Sequence, residues 1–527
     1  MLEYLAEYVK KRFADVELEG HLVAGGPGHT RAVSTCARTH SGRDSAAWYA
    51  VGRILGLLSA EEGAGMLEAL ESLQDRDEAS PFYGCMRWYA EETFINDSNA
   101  AFFTQMSLVT LLLTAPEAVS AEEREKILRI LRCGGHWFSS ETVNGPIHYT
   151  NKILADGGMT LAIARLTGDG ALYAAGLRFF ERFLAYTRDE GWGWGENISL
   201  GYNGVILTML RLAAVALKAE DKALRDRIEA LIRSQLAYFR FFEGHEPVPG
   251  IRSYNFGGVD RMPGIVYNLA RVPGSGLDTL RPGISEVSTT CLLFDGELYR
   301  TDAELTAWQP LPAPRTQTTR VFHENEAYAW IGHGGALGTL NNFPVFPDCY
   351  QHKTWGLGWQ SMPVSADVYG AYTSYLRWAV RTADGERIHP RSAFLSPAVF
   401  AEDDPYPSVR TRCTQRDNAA IVFRMMEGVD NDAFSICDEW YIPTGTEKPG
   451  MGPKAIPGGD WRPAAGAELR RAGDWICAVF PHASLLLHPL AGGQAGILWD
   501  ENGACRISVT CARSEDGHIA CPELVSG

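Results

Sequence analysis

The sequence holds no stretch approaching the ~18 uncharged apolar residues that a membrane-spanning helix requires. Its start, Met1 to Gly20, carries Glu3, Glu7, Lys10, Lys11 and Arg12, without the apolar centre of a signal peptide. The 11 cysteines are odd in number and none stands in a C-x-x-C pair. That spacing implies neither a disulfide framework nor a zinc ribbon, and reduced, packed thiols in a cytoplasmic protein are expected. Also missing are a Gly-x-x-x-x-Gly-Lys-Ser/Thr phosphate loop, a His-Glu-x-x-His zinc helix, an EF-hand loop and a Gly-x-Ser-x-Gly elbow. Ala24-Gly25-Gly26-Pro27-Gly28-His29 lacks the Lys-Ser/Thr ending and reads as an ordinary loop. Basic residues are outnumbered, 48 Lys and Arg against 64 Asp and Glu, for a net charge of -16. That balance argues against a nucleic-acid-binding surface but does not exclude a local cationic pocket for an anionic sugar.

What is present is a globular composition, 46% hydrophobic and 21% charged, over 527 residues. That length exceeds one ordinary core and implies two domains. Helical periodicity dominates up to about residue 245, in Leu2–Phe13, Ser45–Leu58, Glu61–Leu73, Ser98–Leu113, Ala121–Leu131, Lys152–Leu166, Ala171–Thr187, Tyr202–Lys218 and Lys222–Phe242. In the last of these, Leu224, Ile228, Leu231, Leu236 and Phe239 approximate one apolar stripe. Helices of similar length with short joints imply stacked helical hairpins, closed into an incomplete toroid or left as an open solenoid.

After about Pro273 the pattern turns to period two. Leu376, Trp378 and Val380 alternate with Arg377, Ala379 and Arg381 in Ser374–Thr382. Further strands are expected at Arg320–Ile331, Ala419–Met425, Phe434–Ile442, Trp475–Phe480 and Arg506–Cys511. Pro443–Ala465, with five prolines and five glycines, reads as a long surface loop. The expected fold is α+β in two domains: an α/α toroid over 1–273 and an antiparallel β-sandwich over 274–527.

Three segments carry candidate chemistry. Gly191 to Val205 reads Gly-Trp-Gly-Trp-Gly-Glu-Asn-Ile-Ser-Leu-Gly-Tyr-Asn-Gly-Val between two helices. There Trp192 and Trp194 offer stacking faces for a sugar, and Tyr202, at the mouth of the next helix, offers a phenol for proton transfer. The alternative is a turn plugged by two core tryptophans. His148-Tyr149-Thr150-Asn151 precedes the helix near Lys152. Asn151 suits an N-cap, and in stacked hairpins His148 and Asn151 would share an end with Tyr202. Arg252 and Arg261 flank Ser253 to Asp260 and suit a bidentate contact with a carboxylate, or a pairing with a neighbouring acid such as Asp260. Asn341 to Gln360 is the second aromatic cluster, with Tyr350 and His352 for proton transfer and Trp355 and Trp359 for stacking; a core plug is its plainer reading. His333, among glycines, competes with His352 but suits a hairpin turn. Asp97, Asp156, Asp189, Glu190 and Glu196, near the helical joints, read as caps or solvated charges.

This order of features resembles the toroid-plus-sheet polysaccharide lyases: the heparinase II/III-like, oligoalginate and chondroitin/hyaluronate lyases. The resemblance covers most of the chain in architecture and only short stretches in motif. It implies an N-terminal α/α toroid, C-terminal antiparallel sheets and an active site in the cleft between them. Tyr202 matches the position of the family's catalytic tyrosine, His148 or Asn151 that of its carboxylate neutraliser, and His352 its sheet-domain histidine. The chain departs from the pattern in lacking an adjacent Asn-His pair before Lys152 and in placing Lys353 after His352.

The expected reaction is β-elimination at a uronate within an anionic oligosaccharide or polysaccharide, giving a 4,5-unsaturated end. Tyr202, His352 and His148 are the catalytic candidates. Asn151, Arg252, Arg261, Trp192, Trp194, Tyr350, Trp355 and Trp359 are the substrate-binding candidates. No cofactor is expected, a structural divalent cation being left open, and no nucleic-acid or membrane partner. A short imported oligosaccharide cleaved from one end fits the cytoplasmic expectation. The alternatives are a glycoside hydrolase on an α/α toroid, using two of the acids above, and a noncatalytic glycan-binding protein.

Overall fold

The computed structural model describes residues 3–145, 147, 149–189, 202–243, 264–272, 275, 281–295, 298, 303, 307–320, 326–340, 364–368, 374–382, 387–388, 409–426, 433–442, 468–490, 496–499 and 505–513. They form two compact units. One takes in the described residues of Met1–Tyr186, Tyr202–Arg240 and Met262–Pro310, and the other those of Thr187–Gly201, Phe241–Arg261 and Leu311–Gly527. The chain is mixed α and β, helical first and antiparallel sheet afterwards. Among the described residues no helix is long and apolar enough to cross a membrane.

The helical unit runs α1 (Glu3–Arg12), α2 (Gly42–Ile54), α3 (Ala60–Ser72), α4 (Ala100–Thr114), α5 (Ala121–Asn144), α6 (Thr150–Thr167), α7 (Gly170–Asp189), α8 (Asn203–Ala216), α9 (Lys222–Phe242) and α10 (Gly264–Leu269). It ends on α11 (Ile284–Glu286), which continues as a π-helix over Val287–Cys291. A small sheet of β1 (Leu18–Glu19), β2 (Leu22–Gly25) and β3 (Thr39–Ser41) precedes α2. Starts are set by local chemistry. Ser59 and Ser120 each form a capping box, with Glu62 and Glu123 respectively, satisfying amides that a first turn leaves unpaired.

The contacts between helices fix their directions. In α6 and α7, Gly157 lies against Phe179 and Gly176 against Leu161, so the two are antiparallel. In α8 and α9, Asn203 meets Gln235 and Arg211 meets Glu229, again antiparallel. Tyr173, at the start of α7, bonds Lys218 and Asp221, just beyond the end of α8. The end of α8 therefore shares a side with the end of α6, and these two packed helices are parallel. Thr208 with Thr290, and Arg211 with the Leu293 carbonyl, put α8 and α11 in parallel step as well.

Among the described residues, the sheet unit has nine strands in one antiparallel sheet and five in two smaller ones. The large sheet is made of β4 (Arg315–Arg320), β5 (Glu326–Ile331), β6 (Gly335–Leu340), β7 (Val364–Val368), β8 (Ser374–Thr382), β9 (Arg387–Ile388), β12 (Ala433–Ile442), β16 (Gly496–Trp499) and β17 (Cys505–Arg513). Its order is β16-β17-β12-β8-β7-β6-β5-β4, with β9 on β8. β10 (Val409–Arg416) pairs β11 (Ala419–Met426), and β13 (Glu468–Ala472), β14 (Trp475–Val479) and β15 (Ser484–Leu487) form the third sheet. One buried cluster draws on all three: Leu337, Val364, Ala366, Val368 and Trp440 from the large sheet, Cys413 from β10, and Ile476 and Ala478 from β14. His333 lies exposed in the β5–β6 turn, closed by the Gly332 amide on the Gly335 carbonyl.

Three sequence readings are corrected. The helix expected to stop at Leu131 runs on to Asn144 as α5. Gly134 and Gly135 there do not end it; they permit close packing, since a Cβ on Gly134 would meet Gln105 Oε1 at 2.0 Å. The apolar stripe of α9 is rotated, with Leu224, Ile228, Ile232, Phe239 and Phe242 buried and Gln235 among them, while Leu231 and Leu236 are half-buried. The strand expected over Arg320–Ile331 is the end of β4 followed by β5. The Pro443–Ala465 loop lies outside the described residues.

Gly84 and Gly168 separate backbone strain from lack of space. Both have positive φ, +87° and +77°. A Cβ on Gly84 would stand 2.2 Å from the Cys133 carbonyl oxygen, whereas nothing lies within 4 Å of one on Gly168. Gly168→Ala should cost about 1 kcal/mol and Gly84→Ala at least ~2 kcal/mol more. Urea unfolding checks the difference, and equal losses would show that the Cys133 backbone yields.

Candidate functional site

Of the catalytic and substrate-binding candidates, two fall within the described structure, both at helix starts. Tyr202 occupies the N-cap position of α8 and is half-buried. The adjoining Asn203 is fully buried and its Oδ1 accepts from Gln235 Nε2 at 2.8 Å. Asn151 is 4% exposed and is the second residue inside α6. The expectation that it caps the helix is corrected, because Tyr149 holds the N-cap position. Since α6 and α8 are parallel and packed together, Asn151 and Tyr202 share one end of the helical unit. His148, Trp192, Trp194, Arg252, Arg261, Tyr350, His352, Trp355 and Trp359 lie outside the described residues.

One residue beyond Asn151 is a buried charge cluster that the sequence did not reveal. Lys152 Nζ donates to Glu141 Oε2 of α5 at 2.5 Å and to Asp156 Oδ2, one turn along α6, at 2.7 Å. The Lys152 ammonium also lies 5.9 Å from the centroid of the Trp137 ring. Asp156 is 1% exposed, and its Oδ1 has no hydrogen-bond partner among the described residues. Burial pushes the Asp156 carboxyl up to about 6 in spite of the ammonium beside it. Lys152 is held protonated, its own burial penalty outweighed by the two carboxylates. The reading of Asp156 as a cap or solvated charge is therefore corrected. Asp97 accepts the Asn99 amide at 3.0 Å, and exposed Asp189 pairs with Arg188 at 2.8 Å. Glu190 and Glu196 lie outside the described residues.

A second cluster was hidden in segments read as plain loop. His29 Nδ1 and Tyr89 Oη are 2.8 Å apart, and the His29 ring stands edge-on to Trp88 with centroids 4.7 Å apart. The inner side of the imidazole is packed among protein atoms, which pushes its pKa down although its outer edge is exposed. Beneath it, buried Glu92 accepts the Trp88 amide at 2.7 Å and the Thr30 hydroxyl at 2.5 Å. The half-exposed Arg43 guanidinium reaches the Trp88 ring and pairs with Asp44. This cluster sits where α2 begins, since Trp88 O accepts the Gly42 amide at 2.8 Å. No local pattern could have found it, because His29 and Tyr89 are 60 residues apart.

The helix starts share a side of the unit. Cys85 Sγ approaches the Ser98 carbonyl, just before α4, at 3.7 Å, and its thiol also feels Lys152 and Asp156 at the start of α6. Gly42, the first residue of α2, lies against Thr104 in the second turn of α4. His29, Tyr89, Arg43, Asn151 and Tyr202 thus all belong to the end at which α2, α4, α6 and α8 begin. That end offers a phenol, a buried amide, an imidazole with Nδ1 already engaged, a guanidinium and an indole. The set suits a sugar bearing hydroxyl and carboxylate groups.

The raised pKa of Asp156 sets a pH test of stability. A carboxyl raised from 3.8 to about 6 on folding contributes stability that is fully present below 3.8 and is lost as pH rises through about 6. The melting temperature of the wild type relative to Asp156→Asn should therefore rise as pH falls from 7 to 4. A constant difference across that range would mean that Asp156 ionises alike in the folded and unfolded chain.

No protein-family model matches this sequence, and neither does any curated protein compared with it.

Proposed function

We propose that this chain is a carbon–oxygen lyase that cleaves uronic-acid-containing oligosaccharides or polysaccharides by β-elimination. The observation that carries the reading is the pair Asn151 and Tyr202: chosen from separate sequence segments, they fall on the starts of two packed, parallel helices. The packing order supports an incomplete α/α toroid. α2 packs on α4, α4 on α6, α6 on α8, α8 on α11, and α11 back on α2. The buried cluster shared by the three sheets supports a sandwich.

In the proposed reaction a base takes the C5 proton of a uronate, the electron pair forms the C4–C5 double bond, and the C4 glycosidic oxygen leaves with a proton. The developing enolate puts charge on the substrate carboxylate, so hydrogen-bond donors there lower the barrier. Asn151 is assigned that task, with His148, Arg252 and Arg261 as its partners. Tyr202 is assigned proton transfer, with His352 as the second proton-transfer group. A phenol of pKa about 10 needs nearby positive charge to act as a base near neutrality, and that task is assigned to the arginines. Trp192, Trp194, Tyr350, Trp355 and Trp359 are assigned sugar stacking. His29, Tyr89 and Arg43 join them as hydrogen-bonding contacts to a sugar unit beside the cleaved one.

A screen of uronic-acid polymers and oligomers by ultraviolet absorbance and mass spectrometry tests the reading. An unsaturated product supports it, a saturated hydrolysis product replaces it with the hydrolase, and binding without turnover replaces it with a glycan-binding protein. On the substrate found, Tyr202→Phe should keep its melting temperature and lose about 10² to 10⁴ in rate. Near-wild-type turnover in that variant would remove Tyr202 from the chemistry. Asn151→Ala should lower turnover per folded molecule far more than it lowers stability, and the opposite pattern would make Asn151 a packing residue only.

A further inference from the structure

We propose that Lys152, Glu141 and Asp156 act as a positioning clamp for Asn151 and impose an acid limit on turnover. The proposal rests on the lyase reading of Asn151. Lys152 adjoins Asn151 in the first turn of α6, and its ammonium is tied forward to Asp156 and across to Glu141 near the end of α5. Gly145, which follows α5, lies against Ile153 in the first turn of α6. The Lys152–Glu141 pair therefore ties the first turn of α6 to α5, and the Lys152–Asp156 pair, within α6, holds the ammonium in place for it.

A buried ion triad is a poor way to gain stability. Taking charge out of water, almost wholly at Asp156 and in part at Lys152 and Glu141, costs more than well-packed apolar side chains would, and such groups serve best by selecting one geometry. Asp156 carries the cost visibly, with one carboxylate oxygen buried and without a partner among the described residues. A group that positions a reacting donor is a reason to retain the triad, because a misplacement of about 1 Å can cost up to ~10² in rate.

Among the described residues, Lys152, Glu141 and Cys85 are the titratable groups that face Asp156. Lys152 shares its helix, Glu141 faces it from α5, and the buried Cys85 thiol feels it from the loop before α4. Against the adjacent glycines, α7 presents Phe179 at Gly157 and α8 presents Met209 at Gly158. Protonating Asp156 turns its ion pair with Lys152 into a hydrogen bond to a neutral acid. The ammonium is then held strongly by Glu141 alone, and the first turn of α6 loosens.

Asp156→Asn reproduces the protonated state at every pH. At pH 7.5 the variant should melt no lower than the wild type, turn over about tenfold more slowly, keep its KM, and lack the acid limb expected of the wild type near pH 6. A wild-type kcat, or an acid limb retained in the variant, overturns the proposal. So does a fall in melting temperature with turnover per folded molecule unchanged, which is the pattern of a structural ion pair. Hydrogen exchange gives a readout that needs no substrate. Amides of Thr150 to Leu154 should exchange about tenfold faster in Asp156→Asn than in the wild type, as local opening without global unfolding. If the wild type forms no unsaturated product from any uronate polymer, the lyase reading fails, and exchange alone then decides on the clamp. Equal exchange in the two proteins overturns it. Lys152→Met, read the same way, guards against an effect peculiar to the asparagine.

Discussion

The helical unit depends on finding partners for polar groups that its helices take out of water. A buried donor or acceptor left unpaired costs on the order of 1–3 kcal/mol, more when charged. The helices meet that demand in pairs: Ser107 with Ser288, Thr208 with Thr290, Asn203 with Gln235 and Tyr49 with Glu123. Each pair joins two different helices and sets both their axial position and their rotation. Apolar contact tolerates sliding by a fraction of a turn, whereas a hydrogen bond near 2.8 Å does not. Lys152 between its two carboxylates is the extreme member of the set, and it lies beside a residue assigned to substrate.

Close approach of backbones makes these pairings possible. Gly157 and Gly176 let α6 and α7 meet face to face, and Gly158 brings α6 to the Met209 carbonyl of α8. A side chain at Gly157 would stand 2.1 Å from the Phe179 ring. Small residues inside helices carry a propensity penalty, which the packing they permit offsets. The sheet unit obeys a similar rule in one turn, where a Cβ on Gly334 would stand 1.8 Å from the His482 carbonyl.

Much of the element plan was legible in the order of residues. α1 matches its periodicity within a residue at each end, and Ser374–Thr382 is the observed β8. Periodicity serves where an element buries one face, because the pattern records that face directly. It misled where a local rule conflicted with packing. The helix read as ending at Leu131 continues through Gly134 and Gly135, which let it pass Gln105 and Leu172 respectively. Gln235 broke the apolar stripe of α9 because Asn203 requires a partner there. The candidate site was legible in part. Tyr202 and Asn151 stood out beside helix starts, but His29 with Tyr89, and Lys152 with Glu141, are contacts between segments that no spacing connects.

The sequence by itself determined the change from helix to strand along the chain and where most of the longer helices lie, since both depend on neighbours along the chain. Only the tertiary structure decided which helices run parallel, that Asn151 and Tyr202 begin at the same end, and that Asp156 is buried against Lys152 rather than solvated. Those outcomes follow from packing between distant segments. Burial and the resulting charge pairing are properties of the assembled surroundings, and no residue carries them alone.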